Sequence, residues 1–416
     1  MAGYSTPRNC PYCGRRFQLG KCPVVATGSV GLATLSRLVQ AGELVKDPDG
    51  FVVSPARRSG RIESARSGKA FEVEKSAVAE VVDYFGDSRS RESQGEHESA
   101  ADDSAGSLPW RNGILQKYWL IAAAPEEPAK PQGVVQRLRG VREDIPSATE
   151  MSERALPGVR GLRPKRACPH CLYPLPREID DREVFTVVVA GTTSASKTSF
   201  QKELVGDRTA VFLEVEGSFE EFILSEESPR ELMELLEEDN TTYRRTSVTD
   251  WPEPWVVNVT ARTGRPAMLY LYDLAGETFS DSDQRDHGAP FLKWADALIF
   301  LVEPRKSGAR QALMFQGIMA EMHPAGSVAV VLAKADLVGV GPERVISESE
   351  IKDHLSMCGA RQVVHVAEAA AANRPAGSVT YHAAAANPGE LGTQAPYGVA
   401  QAFLAAVKSS DVFRAG

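Results

Sequence analysis

One eight-residue segment constrains this chain more than any other, and it reads Gly191-Thr-Thr-Ser-Ala-Ser-Lys-Thr198. An apolar run at 184–190 precedes it directly and predicts a buried strand. A buried strand that ends in a glycine-opened turn carrying Lys-Thr is the setting of a phosphate-binding loop, whose main-chain N–H groups point inward at the start of a helix. The segment therefore predicts a domain that binds a nucleoside triphosphate together with magnesium.

Two side chains of this loop are expected to have specific roles. Lys197 is expected to contact the β- and γ-phosphates, and the Thr198 hydroxyl to bind magnesium. Ser196 departs from the common pattern, because a second glycine there usually lets the backbone approach the phosphates; a serine either alters the loop shape or adds a hydroxyl donor. The expected phosphate-contacting residues are Gly191, Ser194, Ala195, Ser196, Lys197, Thr198 and Ser199.

A second motif, Asp273-Leu-Ala-Gly-Glu277, follows a strand predicted at 266–272. A carboxylate at the end of a strand that neighbours the loop strand can hold magnesium through water. The Gly276 N–H can donate to the γ-phosphate and so sense its hydrolysis. The alternative is an ordinary Asp-Gly turn that closes an edge strand.

A third motif, Ala333-Lys-Ala-Asp336, follows a strand predicted at 328–332. Guanine offers adjacent N1–H and N2–H₂ donors, and one carboxylate such as that of Asp336 accepts from both, which adenine cannot match. The aliphatic stem of Lys334 would lie along the base. Ala333 occupies a position where Asn or Thr usually braces the phosphate-binding loop, which an alanine cannot do. A polar strand-to-helix turn is the alternative.

Two Cys-x-x-Cys pairs, Cys10/Cys13 and Cys168/Cys171, predict one structural zinc site of four thiolates. The preferred interpretation is a single zinc ribbon that a long inserted module splits. Unrelated reduced cysteines, a redox pair, or a site in which Cys22 joins the first pair are the alternatives.

From residue 184 onward, short β-rich runs alternate with helical stretches. This alternation predicts an α/β fold with a mostly parallel sheet and helices on both faces, preceded by the split ribbon with its inserted module. Strands are expected at 184–190, 254–261, 266–272, 296–302, 328–332 and 378–382. Helices are expected to begin near Ser196, Pro229, Gly308, Ser347 and Pro396. A Glu-rich interval around 215–238 predicts an extra helical element, whose charges are either a solvated face or a partner surface.

The composition of the remaining chain changes several times. A hairpin is expected at 47–50, where Asp-Pro-Asp-Gly is a strong turn signal, and a strand at 118–122. The expected organisation is a split zinc ribbon at 1–22 and 167–181, a small α+β module at 23–85, a disordered linker at 86–108, an irregular Pro/Arg-rich segment at 109–166, and the nucleotide-binding domain at 182–416.

Charge and hydropathy exclude several classes of function. A formal net charge of −8 argues against a general binder of nucleic acids or anionic membranes. The chain has no apolar run long enough for a membrane span and no apolar signal core at its start, so a cytoplasmic protein is expected.

Taken together, the three motifs resemble those of the translation-factor-related class of P-loop GTPases, over residues 184–408. More narrowly, a zinc ribbon before a GTPase domain with Gly-x-x-x-x-Ser-Lys-Thr and Asp-Leu-Ala-Gly-Glu is similar to the bacterial double-GTPase families. Those families are inferred to act in conflict or defence systems beside a second GTPase and effector proteins. The resemblance implies a GTP-hydrolysing switch that binds GTP or GDP, Mg²⁺ and Zn²⁺ and has such partners.

The resemblance also implies a switch threonine that reaches magnesium. The candidates in the expected interval are Thr241, Thr242, Thr246 and Thr249, of which Thr246 is preferred because it follows two arginines in a polar stretch. Glu277 stands where many GTPases place the Gln that orients the attacking water. Its negative charge is unfavourable beside a γ-phosphate, so slow turnover of GTP is expected. A partner protein is expected to complete the catalytic site. The expected catalytic residues are Lys197, Thr198, Asp273, Gly276 and Glu277.

Two other functions stay open at this point. The departures at Ser196, Ala333 and Glu277 suit a nucleotide-binding scaffold that does not hydrolyse its ligand. A zinc-ribbon module that binds nucleic acid, with an incidental phosphate-binding loop, would use the Arg-rich segment 136–166 but conflicts with the acidic balance of the chain.

Overall fold

The structure is a computed structural model, and it describes only part of the chain. The described residues are 7–22, 24–27, 45–46, 52–53, 62–63, 70–71, 119–122, 147–150, 163–169, 174–192, 195–206, 219–226, 228, 232–233, 236, 254–261, 266–275, 279, 285–343, 346–386 and 395–408. The chain divides into two compact units: Met1–Ala2, Pro11–Arg16 and Asp181–Gly416 form one, and Gly3–Cys10 and Phe17–Asp180 form the other.

Short strands make up most of the described N-terminal part of the chain. They are β1 Arg8–Asn9, β2 Arg16–Phe17, β3 Val24–Thr27, β4 Val45–Lys46, β5 Val52–Val53, β6 Ile62–Glu63, β7 Ala70–Phe71, β8 Trp119–Ala122 and β9 Arg163–Arg166. Strands β8, β3 and β9 form one antiparallel sheet, while β1–β2, β4–β5 and β6–β7 are two-stranded. Strands β4 and β5 flank 47–50 and pair antiparallel, which confirms the expected hairpin.

A buried ion pair connects distant segments of this N-terminal unit. The Arg166 guanidinium, only 1% exposed, donates through Nε to Asp180 and through Nη1 to the Leu19 carbonyl at 3.2 Å. The second carboxylate oxygen of Asp180 accepts from the Ala148 N–H at 3.1 Å. A buried charge is tolerated only when it is paired and hydrogen-bonded, and this pair meets that condition with groups from four parts of the sequence.

A seven-stranded sheet dominates the other unit, in the order β11-β12-β13-β10-β14-β15-β16. Its strands are β10 Glu183–Gly191, β11 Phe219–Leu224, β12 Trp255–Ala261, β13 Pro266–Ala275, β14 Ala297–Val302, β15 Ser327–Ala333 and β16 Val379–Ala384. Strands β13, β10, β14, β15 and β16 pair in parallel, and β12 runs against its neighbours β11 and β13. The expected mostly parallel sheet is confirmed.

Six α-helices are described around this sheet, and they cover both of its faces. They are α1 Lys197–Val205, α2 Arg285–Leu292, α3 Gly308–Glu321, α4 Glu348–Met357, α5 Arg361–Ala371 and α6 Val399–Val407. Ile299 joins the core cluster that contains Phe403 of α6, whereas Phe300 packs on Phe315 of α3 with ring centroids 4.6 Å apart. Successive residues of a strand point to opposite faces, so β14 is covered on both sides and is apolar throughout.

The Glu-rich interval around 215–238, expected to contain an extra helical element, is helical at 232–233 and 236 but begins with a strand that was not predicted. This strand, β11, pairs antiparallel with β12 at the edge of the sheet. A bulge between Phe219 and Glu221 shifts the pairing by one residue, so that Phe219 and Phe222 are both buried although three residues separate them. That spacing imitates a helical period, because the bulge breaks the alternation by which a strand is recognised.

The helix expected after Ser228 is partly described. Leu232, Met233 and Leu236 are helical, and Leu232 and Leu236 pack against the core of the sheet. The Ser228 hydroxyl donates to the Val256 carbonyl at 3.1 Å and accepts from the Val256 N–H at 3.0 Å, and so holds this segment to β12. The rest of the expected capping box, at 229–231, lies outside the described residues.

Among the residues that the structure describes, no helix combines the length and the apolar character needed to cross a bilayer.

A partly buried carboxyl group, that of Asp296, lies just before β14, and its pKa departs from the ordinary value. Asp296 accepts a hydrogen bond from the Thr186 N–H at 2.7 Å. Burial raises the pKa of Asp296 from 3.8 to about 7, although the Thr186 N–H and the nearby Arg16 act in the opposite direction. Because the folded state holds this proton more tightly than the unfolded state, stability must fall as the pH rises from about 4 to about 7.

We expect Asp296→Asn to remove this loss. An amide oxygen still accepts from Thr186, but it cannot ionise, so the variant should be more stable than the wild type at pH 8 by on the order of 2 kcal/mol and show no advantage at pH 4. Urea unfolding of both proteins at several pH values measures the difference. Equal pH dependence in the two proteins would show that Asp296 ionises normally.

Candidate functional site

The parallel strands place the three sequence motifs at one edge of the sheet. Gly191, the last residue of β10, pairs with Ala275 of β13 and with Leu301 of β14. Val302 of β14 pairs with Leu332 of β15. The loops that follow these strands therefore start side by side, at the edge where ligands bind in open α/β sheets.

The loop after β10 is described at residues 191–192 and 195–198, and its backbone is closely constrained there. A Cβ atom on Gly191 would lie 2.6 Å from the Leu301 carbonyl oxygen, so the close approach of β14 requires glycine. The Ala195 N–H donates to the Thr192 carbonyl at 3.0 Å and closes a turn. Ser196 has φ 62° and ψ 33°, the left-handed conformation that glycine adopts most readily, and α1 begins at the next residue.

Ser196 therefore keeps the backbone shape that a second glycine would give. Its side chain makes no capping hydrogen bond to α1. At residue 196 itself the backbone enters the left-handed region and returns to the helix at once.

Lys197 lies at the centre of the loop. Its side chain is 8% exposed, and its Nζ donates to the carbonyl oxygens of Gly191 and Thr192, both at 3.3 Å. An ammonium group that main-chain carbonyls hold inside a loop of N–H donors gives that loop a local positive charge. Together with the start of α1, this arrangement attracts an anion.

Thr198 and Asp273 meet directly. The Thr198 hydroxyl donates to Asp273 Oδ2 at 2.9 Å, which joins the first turn of α1 to the end of β13. A hydroxyl and a carboxylate in contact are the hard oxygen donors that Mg²⁺ prefers, so these two residues fit the expected ion. Asp273 is paired with Val189 of β10, and this neighbouring position in the sheet brings it to the loop.

Helix α1 is held firmly beneath the loop. Its Phe200 and Leu204 are buried in the core of the sheet. The indole N–H of Trp255 donates to Gln201 Oε1 at 3.1 Å, and both side chains are buried. The orientation of the first turn, which carries Lys197 and Thr198, is thus set by packing and does not depend on a ligand.

The loop after β15 carries the third motif. Lys334 has φ 50° and ψ 44°, and Asp336 lies in the first turn of a short 3₁₀ helix, Ala335–Val338. Tyr397 donates its hydroxyl to the Val340 carbonyl beside this loop. Burial and, to a smaller extent, the Asp336 carboxylate raise the pKa of Tyr397 to about 12, so the tyrosine stays neutral and Asp336 faces a partly buried environment.

Sequence reasoning missed one residue of this edge. Glu303 follows β14 directly and is 2% exposed, and its Oε2 lies 2.7 Å from Lys334 Nζ. A signal was present, because Glu303 follows an apolar strand just as Asp273 does.

Several sequence-predicted residues lie outside the described part of the chain. Their roles stay predictions, and they are Ser194, Thr246, Gly276, Glu277 and Cys171. Of the remaining loop residues, Ala195 and Ser199 are described and buried, and their contact with phosphate stays a prediction.

Two cysteines of the N-terminal unit form a cluster. The sulfur atoms of Cys10 and Cys168 lie within 4.8 Å of one another, and both residues are buried. Thiolates around a tetrahedral zinc at about 2.3 Å are about 3.8 Å apart, so the spacing fits this metal. Cys22 is not a member: its thiol donates to the Gln18 carbonyl at 3.6 Å, and burial strongly raises its pKa.

The loop Pro11–Arg16, which contains Cys13, packs against the sheet and a helix of its own unit. The Tyr272 hydroxyl donates to the Pro11 carbonyl at 2.8 Å. Gly14, with φ 64°, lies so close to Pro290 of α2 that a Cβ would be 2.7 Å from its carbonyl carbon. The Arg16 guanidinium lies 4.4 Å from the centre of the Trp294 ring. The loop thus contacts the residue next to Asp273.

Comparison with known proteins adds little to this geometry. No protein-family model matches the chain, and no curated protein sequence matches it. One similar solved structure is a mutant of S. thermophilus NFeoB bound to GDP, at 13% identity and a TM-score of 0.28, covering 54% of this chain and 63% of that chain. Another is the G domain of the T. maritima FeoB iron transporter, at 12% identity and a TM-score of 0.26, covering 49% and 89%. At these values the likeness carries no argument, and the assignment depends on the site itself.

The backbone at position 196 gives a test of the loop. A left-handed conformation costs a non-glycine residue about 1–2 kcal/mol, and more when the residue is β-branched. We expect the free energy of unfolding of Ser196→Gly to lie within about 1 kcal/mol of the wild-type value, and that of Ser196→Val to be lower by roughly 2 kcal/mol.

Thermal unfolding of the two variants measures this order, with Ser196→Ala as the control that removes only the hydroxyl. A Ser196→Val protein as stable as Ser196→Gly would mean that residue 196 does not adopt a positive φ.

Proposed function

We propose that this chain is a guanine-nucleotide-binding P-loop protein that hydrolyses GTP slowly and acts as a molecular switch. The contact between Thr198 and Asp273 carries the proposal, because it unites two motifs that are 75 residues apart in the sequence at the mouth of a loop with a central ammonium group. A fold with an incidental Lys-Thr turn has no reason to bring a carboxylate to that hydroxyl.

Each described group then has a chemical task. Lys197 and the N–H groups at the start of α1 bind the phosphate oxygens and offset their charge. Thr198 and Asp273 hold the magnesium ion, which when bound neutralises charge that develops on the phosphates. Asp336 accepts from both guanine donors, and the Lys334 stem covers the base.

Hydrolysis is expected to be slow. The proposed water-orienting residue is Glu277, whose negative charge is unfavourable beside the γ-phosphate. We propose that a partner completes the site, and that Gly276 and Thr246 sense the γ-phosphate from the flanking segments. A non-hydrolysing scaffold is the alternative, but one of its three supporting departures is weaker now, since Ser196 adopts the left-handed backbone that glycine would supply.

The physiological setting rests on the motif resemblance alone. A zinc ribbon joined to such a domain resembles the double-GTPase families, so we propose a cytoplasmic role in a bacterial conflict or defence system, with a second GTPase and effector proteins as partners. The acidic net charge of −8 disfavours the nucleic-acid module.

Base selectivity tests the proposed function most sharply. Xanthine carries an oxygen acceptor at C2 where guanine carries an amino donor, and an amide at position 336 offers both an acceptor and a donor. We therefore expect Asp336→Asn to weaken GDP binding by about tenfold or more and to reverse the preference in favour of xanthosine diphosphate. Titration with fluorescent GDP, XDP and ADP measures this.

Lys197→Ala is the matched control, because it should weaken both nucleotides without changing their order. Wild-type protein that binds ADP as well as GDP would overturn the assignment of Asp336. Lys197→Ala protein with unchanged nucleotide affinity would overturn the whole site.

We further propose that Cys13 and Cys171 join Cys10 and Cys168 to hold one structural zinc ion. We expect about one zinc per chain by elemental analysis, and its loss together with a lower Tm in the Cys10→Ser/Cys168→Ser variant. Cys358→Ser, at the half-exposed end of α4, is the control that should keep its zinc. Zinc-free protein with an unaltered Tm in the double variant would exclude a structural metal.

A further inference from the structure

We propose that Glu303 is a positioning residue for base recognition, which holds the Lys334 side chain in place where Ala333 provides no polar brace. The proposal deepens the function proposed above and rests on it. It concerns a residue that none of the three sequence motifs contains.

The position of Glu303 in the fold is the first argument. It follows the fully buried strand β14 at the same edge as the phosphate-binding loop and the base-recognition loop. Its side chain is 2% exposed, and its Oε2 lies 2.7 Å from Lys334 Nζ. This contact is an ion pair and not a directed hydrogen bond, since no donor among the described residues is aligned with that oxygen.

The main chain of Glu303 is fixed independently of Lys334. Gln311, a completely buried residue of α3, bonds to this main chain through both ends of its amide, and its Nε2 also donates to the Lys306 carbonyl at 3.4 Å. Its Oε1 accepts from the Glu303 N–H at 2.8 Å, and its Nε2 donates to the Glu303 carbonyl at 3.0 Å. The carboxylate therefore extends from a backbone that cannot shift easily.

The ion pair with Glu303 also orders the Lys334 side chain. A buried carboxylate needs a positive partner, and Lys334 supplies it while 31% of the lysine side chain stays exposed at the site. A free lysine side chain has many rotamers, and a nucleotide that orders it binds more weakly for that reason. Since Glu303 orders Lys334 beforehand, the stem that covers the base is already in position when the nucleotide arrives.

Affinity for GDP tests the proposal. We expect Glu303→Gln to weaken GDP binding about tenfold, the usual effect of releasing one pre-ordered side chain. Lys334→Met should weaken it to a similar or greater extent. If Glu303 acts through Lys334, then Glu303→Gln in the Lys334→Met background should cause almost no further loss, because residues that act as a unit are not additive.

A matched control and a second ligand separate positioning from general stability. Glu368→Gln breaks another Lys–Glu pair, the exposed contact of Lys352 and Glu368 at 3.1 Å, and should leave GDP affinity unchanged. Inorganic triphosphate, used as a competitor, probes the phosphate-binding loop alone. The loss caused by Glu303→Gln should be seen with GDP and be absent with inorganic triphosphate.

A more conservative variant covers the case in which Glu303→Gln does not fold. Glu303→Asp keeps the buried charge and the main-chain bonds to Gln311 but shortens the reach to Lys334, so a loss of about threefold in GDP affinity is expected.

The outcomes distinguish this proposal from the function on which it rests. Wild-type protein that binds no guanine nucleotide overturns the proposed function. Wild-type protein that binds GDP overturns the role of Glu303 if Glu303→Gln binds equally well, if its effect adds fully to that of Lys334→Met, or if inorganic triphosphate is weakened to the same degree.

Discussion

The hydrogen bond between Thr198 and Asp273 is the contact on which the organisation of this molecule depends. It requires α1 to start directly at the end of β10, β13 to lie beside β10 in parallel, and both strands to end at the same level. Each requirement follows from the sequence: an apolar β10 that sheet and helices bury on both faces, a glycine that lets β14 approach, and a helix whose Phe200 and Leu204 fix its direction. The polar site exists because an apolar framework holds it.

Much of this could be predicted from the sequence, for identifiable reasons. Parallel strands such as β14 and β15 are continuous apolar runs, and the loops after them begin at one edge of the sheet. The sequence could therefore predict that the motifs of Lys197, Asp273 and Asp336 start at the same edge. Strand β11 could not be recognised, because its bulge gives Phe219 and Phe222 a helical spacing. The ion pair of Glu221, a residue of this strand, was equally hard to foresee, because its partner Arg182 lies 39 residues earlier in the chain.

Contacts that depend on tertiary structure mark the limit of sequence reasoning at the site. The pair of Glu303 and Lys334 joins two loops whose proximity only the order of the sheet reveals. The left-handed backbone of Ser196 was also inaccessible, since a serine gives no sign of positive φ. In both cases the sequence departs from the common pattern, at Ser196 and at Ala333, and these departures mark the positions where the structure has an unusual backbone or an unusual contact.

The loop Pro11–Arg16 has a consequence for how the chain reaches its native state. The Pro11 carbonyl and the Tyr272 hydroxyl are 261 residues apart in sequence, so this loop is synthesised long before β13 and α2 and has to wait for them before it can dock. Contacts between such remote residues slow folding. Until they form, the surfaces of Pro290 and Trp294 that this loop contacts stay uncovered, and the nascent protein is most exposed to aggregation in that interval.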